Sequence, residues 1–212
     1  MKKQILNLVT IVTIGLALVA CKDKAAEAET TAVETATTAA ASSVKYMASS
    51  TESVIEWTGY KPTGSHTGTI LIDSGVFSMN GETIESGTFL INMASLKDSE
   101  ASERLEGHLK SADFFEVETY PTAGFEVTGF EVKDGQTILS GNLALKDAKN
   151  NVSFPVTVNT EGDNISITSE TFTIDRSKWN VKFKSKSFFS DLGEKFINDD
   201  IELKIMLKAK KS

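Results

Sequence analysis

Few residues in this chain are equipped for chemistry. Of 212 residues one is a cysteine, Cys21, and two are histidines, His66 and His108. A catalytic thiol needs a base beside it, yet Cys21 closes an apolar N-terminal run. The histidines lie far apart without ligand spacing, and isolated histidines mostly hydrogen-bond locally. There is no nucleophile elbow and no glycine-rich phosphate loop. The reading therefore assigns no catalytic residue, no metal and no cofactor. Two arginines occur, Arg104 and Arg176. Arg176 follows Asp175; its planar guanidinium could hold a phosphate or hydrogen-bond a carbonyl, or it could form a structural ion pair. Lys182, Lys184 and Lys186 alternate with Val181 and Phe183, which reads as a strand with one solvated basic face. The net charge of −7 opposes a nucleic-acid partner, because a phosphate backbone selects basic surfaces.

The elements that must position these residues are strands. From about residue 51 onward, apolar residues recur at every second position: Ile55/Trp57, Ile70/Ile72, Phe89/Ile91/Met93, Phe125/Val127, Leu143/Leu145, Val152/Phe154/Val156/Val158, Ile165/Ile167 and Ile201/Leu203/Ile205/Leu207. Turn signals separate the runs at Asp73-Ser74-Gly75, Asn80-Gly81, Asp134-Gly135, Asn150-Asn151 and Glu161-Gly162-Asp163. One helix is expected, over roughly Ser99 to Lys110. Eight or nine short antiparallel strands in about 160 residues predict an all-β domain, a sandwich or a closed barrel. Parity alone points Trp57, Phe89, Ile91, Phe125, Leu143, Phe154 and Phe172 inward. A bulge at Gly129 would explain why Phe125/Val127 gives way to Phe130/Val132.

Between Leu105 and Val127 runs LEGHLKSADFFEVETYPTAGFEV, whose wording exceeds what a turn and a helix need. It resembles the YceI-like family, whose members carry a GHLKS-x-DFF segment followed by an aromatic-Pro pair and a strand. VIEWTGYKPTGSHTG (54–68), GTFLINMAS (87–95) and FTIDRSKW (172–179) are similar to other family segments. One departure is Asn92, where the family usually has Asp before the Met. The resemblance implies a lipocalin-like eight-stranded antiparallel β-barrel with one short helical connection. It also implies an apolar channel for a polyisoprenoid chain, such as an isoprenoid quinone or a polyprenyl phosphate. Trp57, Phe89, Ile91, Phe125, Leu143, Phe154 and Phe172 are then the expected channel residues, with Arg176 near the headgroup. Burying such a chain yields about 0.8 kcal/mol per CH₂. Two other readings stand beside this one: a filled barrel acting as an envelope interaction protein, and an enzyme acting on such lipids.

Lys2-Lys3, the apolar run Ile5 to Ala20 and the Leu18-Val19-Ala20-Cys21 ending read as a signal peptide over 1–20, with a lipoprotein box that acylates Cys21. Residues 21–50, rich in Ala, Thr and Glu, read as a flexible tether, and 51–212 as the barrel domain. This places the protein at the cell envelope, anchored through Cys21. The outer membrane is expected, with the domain in the periplasm or at the surface. The oligomeric state stays open, a homodimer included.

Overall fold

The computed structural model describes residues 25–212; the expected signal segment and Cys21 lie outside the described residues. The twelve strands are β1 (Ala26–Glu27), β2 (Glu29–Thr31), β3 (Val44–Ala48), β4 (Val54–Lys61), β5 (Gly64–Asn80), β6 (Thr83–Asp98), β7 (Thr122–Lys133), β8 (Gln136–Leu145), β9 (Ala148–Glu161), β10 (Asn164–Ser169), β11 (Phe172–Asp175) and β12 (Asp200–Lys211). Helix α1 (Glu103–Lys110) follows β6. Antiparallel pairing runs β5-β6-β7-β8-β9-β10-β12 without a break. The ring closes where β12 also pairs β4, with Leu203 opposite Trp57, and β3, with Lys210 opposite Met47. β3 and β4 share one place in the wall, and β10 and β11 share another, so the barrel has eight strand positions. Closure forces alternate side chains into a common interior.

The turns divide into those the residues predict and two that they do not. Gly81, Gly135 and Gly162 adopt φ of 60°, 79° and 63°, as tight hairpins require. Asp73-Ser74-Gly75 is instead a bulge within β5, where the register against β6 shifts between Ile72 and Ser74. The reversal expected at Asn150-Asn151 lies upstream, with Lys146 at φ 54°. Asn151 is buried inside β9 because it donates to Thr128 Oγ1 and Asn142 Oδ1. The bulge expected near Gly129 is present, with the register against β8 shifting between Val127 and Gly129.

Residues 25–50, read from composition as a flexible tether ahead of a domain starting at 51, supply the three strands β1, β2 and β3 to the barrel wall and pack a connecting stretch against its outside. β1 pairs in parallel with β11, Ala26 opposite Phe172, and β2 pairs with β9, Thr30 opposite Val152. The chain then crosses the outside of the wall, where Asn142 exchanges two hydrogen bonds with the Glu34 backbone and Thr37 N–H donates to Val127 O. Glu85 receives Ala40 N–H and the Ser43 hydroxyl. Composition missed this because short edge segments satisfy backbone groups, a contribution that does not need large apolar side chains.

α1 starts later than expected. Ser102 caps it by accepting from Leu105 N–H, and Ala101, at φ 55°, cannot belong to a helix. Glu106 sits on its barrel side, accepting from Lys97 Nζ at 2.9 Å and from Asp98 N–H at 3.1 Å. The corner at Asn92-Met93-Ala94-Ser95 needs an acceptor and no charge: Asn92 Oδ1 accepts Ser95 N–H, and Ser95 Oγ in turn accepts Leu71 N–H. Asn can therefore stand where the family usually has Asp.

Candidate functional site

The barrel interior has two unlike halves. In one, a band of aromatic rings crosses the bore from wall to wall. Tyr46 stacks on Phe77 at 5.4 Å, Phe77 meets Phe89 at 6.0 Å, Phe89 meets Phe125 at 6.4 Å and Phe125 meets Phe154 at 5.8 Å. Phe154 and Phe172 end the band in a parallel stack at 4.4 Å. Glycines on the neighbouring strands make room for it: a methyl at Gly141 would lie 2.2 Å from the Phe125 ring, and one at Gly75 would lie 2.3 Å from that of Phe89. Beyond the band, Met79, Ile84, Leu139, Val156, Ile165 and Leu207 are all buried. That half is solid.

The other half is hollow. A cavity of about 570 Å³ is walled by Ile55 and Trp57 of β4, Ile70 of β5, Ile91 and Met93 of β6, Ala123 of β7, Leu143 and Leu145 of β8, Ile174 of β11, and Ile201 and Leu203 of β12. Ile91 and Leu143 stand one inward step beyond Phe89 and Gly141 along their strands, so the aromatic band is the cavity floor. Of the inward residues expected from parity, Trp57, Ile91 and Leu143 line the cavity, whereas Phe89, Phe125, Phe154 and Phe172 form the floor beneath it. Trp57 packs across Gly68, and its indole N–H is buried without an acceptor among the described residues.

Two segments cover the open end. Leu105, His108 and Leu109 of α1, followed by Phe114 and Phe115, close one side, and Phe183, Phe196 and Ile197 of the connection between β11 and β12 close the other. The ring of His108 sits edge-on to Phe114 at 5.2 Å and to Phe183 at 4.8 Å, joining the two covers.

Residues 178–186 do not form the strand that the Lys/Val/Phe alternation suggested. A 3₁₀ turn at Arg176–Trp179 begins the segment, Asp175 caps that turn through Ser177 N–H, and Asn180 and Lys184 have positive φ. The cause is Arg176, 1% exposed, whose guanidinium donates to the carbonyls of Asn198, Val181, Phe183 and Ile197 and pairs with Asp199 at 3.2 Å. A guanidinium that gathers four carbonyls folds the chain around itself. Burial pushes its pKa below the usual arginine value, an effect opposed by Asp199 and Asp175. Arg176 thus borders the cavity, but its donors are turned to the backbone of the cover. Trp179 is fully buried and anchors the same segment by donating to Leu143 O at 2.8 Å.

The rim is polar and mainly basic. Lys61, Arg104, Lys184 and Lys195 border the cavity, with Glu194 the one acid among the described residues that do. None of the four cations has a carboxylate within ion-pair distance among the described residues. His66 lies on the same rim. The sequence could not single out this set, because its members come from four separate stretches and none has a distinctive neighbour.

An antiparallel eight-stranded barrel, solid at one end and hollow beneath a long loop and a helix at the other, defines a lipocalin-like calyx. Solved structures share it. A Burkholderia cenocepacia protein, BcnA, superposes with a TM-score of 0.60 at 20% identity, covering 74% of this chain and 95% of that one. A polyisoprenoid binding domain from Saccharophagus degradans, implicated in plant cell wall breakdown, superposes with a TM-score of 0.59 at 14% identity, covering 80% and 99%. A UPF0312 protein of Azotobacter vinelandii is 36% identical over 93 residues, 43% of this chain and 46% of its own length, so the match spans about half of that relative. The YceI-like domain model matches residues 29–209, and the chain belongs to the YceI-like family.

Proposed function

We propose that this protein binds and carries an amphiphilic isoprenoid lipid, an isoprenoid quinone or a polyprenyl phosphate, with its tail in the hollow half of the barrel and its headgroup at the rim. The observation that carries the reading is the cavity itself, about 570 Å³ walled by aliphatic and aromatic side chains and bordered by polar groups at one end only. Such a shape suits one apolar chain with one polar end. The Saccharophagus degradans structure of the same fold is a polyisoprenoid binding domain, which supports the same ligand class. Among the described residues, four rim cations without a carboxylate partner, against one acid, favour an anionic head over a neutral one. The reading is of binding without turnover.

In this reading the protein sits at the cell envelope, held by an acylated Cys21. Cys21 precedes Ala26, the first paired residue among those described, by five positions, which spans on the order of 18 Å at full extension. The barrel then lies close to the bilayer that holds it, within reach of a lipid pool.

The test is solvent extraction of the purified protein followed by mass spectrometry, together with titration of geranylgeranyl phosphate and geranylgeraniol. Expected are a co-purifying isoprenoid, saturable uptake of both probes and tighter binding of the phosphate. Leu143→Trp, which fills the cavity above the floor, should weaken both at least tenfold. An extract free of lipid together with no uptake of either probe would leave the barrel as an interaction module.

A further inference from the structure

We infer that His66, Asp98 and Glu100 form a site for a divalent first-row transition cation such as Zn²⁺, at the rim but independent of the lipid reading. One donor atom from each residue lies within 4.8 Å of the other two. The two inner donors carry the argument. The Asp98 side chain is wholly buried, and its Oδ2 accepts the Ser102 N–H at 3.1 Å. Among the described residues its Oδ1 has no hydrogen-bond partner, and neither has the equally buried His66 Nδ1, which faces it at 3.8 Å.

That separation is too long for a hydrogen bond. Two buried polar atoms left facing each other without partners are costly and call for an explanation. A cation between them supplies one, because metal bonds to imidazole nitrogen and carboxylate oxygen of about 2.0–2.2 Å each span a gap of this size. Glu100, exposed on the turn after β6, adds a third donor from the solvent side. One imidazole and two carboxylates with water in the remaining positions suit Zn²⁺ and its neighbours.

The scaffold holds these donors before any ion arrives. Asp98 pairs with Gly68 across β5 and β6, Ser99 N–H donates to Thr67 O at 2.9 Å, and the Thr67 hydroxyl bonds to that of Ser99 at 3.3 Å. His66 is therefore fixed two residues from one tie, and Glu100 one residue beyond the other. Sequence separation hid the set, since His66 and Asp98 lie on different strands.

The test is calorimetric titration of ZnCl₂ into chelator-treated full-length protein in mild detergent, with Cys21→Ser in every sample so that no thiol competes. Binding of one equivalent is expected, with a rise in Tm on adding zinc. His66→Gln and Glu100→Gln should each weaken binding at least tenfold. His108→Gln, which removes the imidazole paired with the exposed Asp113, should leave it unchanged. Glu100 is exposed, so its variant tests the site even if His66→Gln perturbs folding. Absence of uptake at sub-millimolar zinc, or equal uptake by the parent and Glu100→Gln, overturns the assignment. Lipid uptake by zinc-free protein is a separate readout, so either reading can fail alone.

Discussion

At the scale of single residues, the side chain that looked most like a ligand contact is an organiser of the fold. Arg176 spends its donors on carbonyls of the segment that covers the cavity, and Arg176→Ala would leave those carbonyls without a donor and remove the ion-pair partner of Asp199, whose other oxygen keeps the Ser185 and Ser187 hydroxyls. A loss of about 3–5 kcal/mol is expected in urea unfolding, the range for breaking a buried ion pair from one side. Reduced lipid affinity at unchanged stability would instead place the guanidinium against the headgroup. Tyr60 offers a spectroscopic handle. Its hydroxyl donates to Glu202 at 2.8 Å, and burial first, then that bond and the carboxylate charge, push its pKa from 10.0 up to about 12. Because the folded value is raised, this stabilisation is complete below pH 10 and disappears as pH climbs through about 12. Ultraviolet titration should show one tyrosine ionising late, and Glu202→Gln should bring it earlier.

At the scale of elements, helix and barrel are joined by a carboxylate. Glu106 is held below the usual carboxylate range by Lys97 and the Asp98 N–H. A depressed value means that the stabilisation is present above the ordinary Glu pKa of 4.5 and fades as pH falls through the folded value. Amide exchange in α1 should therefore accelerate on acidification before exchange in the strands does, and Glu106→Gln should abolish the difference. The cavity floor gives a second prediction. Gly141→Ala places a methyl where the Phe125 ring lies, and overpacking of this kind costs typically about 1–3 kcal/mol; unchanged denaturant midpoints would show that the ring can step aside. The elements themselves were mostly legible in the sequence. Period-two alternation located the long strands because each has one face in the interior, as Phe89/Ile91/Met93 shows. It misread residues 180–186, where the alternation is real but Arg176 captures the carbonyls that a strand would have paired. It also missed β1 and β2, whose contribution is backbone pairing without a strong apolar pattern, and β3, whose alternation of Val44, Tyr46 and Ala48 is only five residues long.

At the scale of the whole molecule, parity tells which side chains point inward but not how high along the bore each one sits. That is why the inward set Trp57, Phe89, Ile91, Phe125, Leu143, Phe154 and Phe172 divides into lining and floor only in three dimensions. Height depends on strand stagger, which the sequence pattern does not encode. The division has a physical result. A floor of interlocked rings makes the vessel a cul-de-sac: whatever enters tail-first must back out through the doorway it came in by. Such a vessel cannot act as a conduit between two compartments. In the carrier reading proposed above, donor and acceptor must take turns at the same threshold.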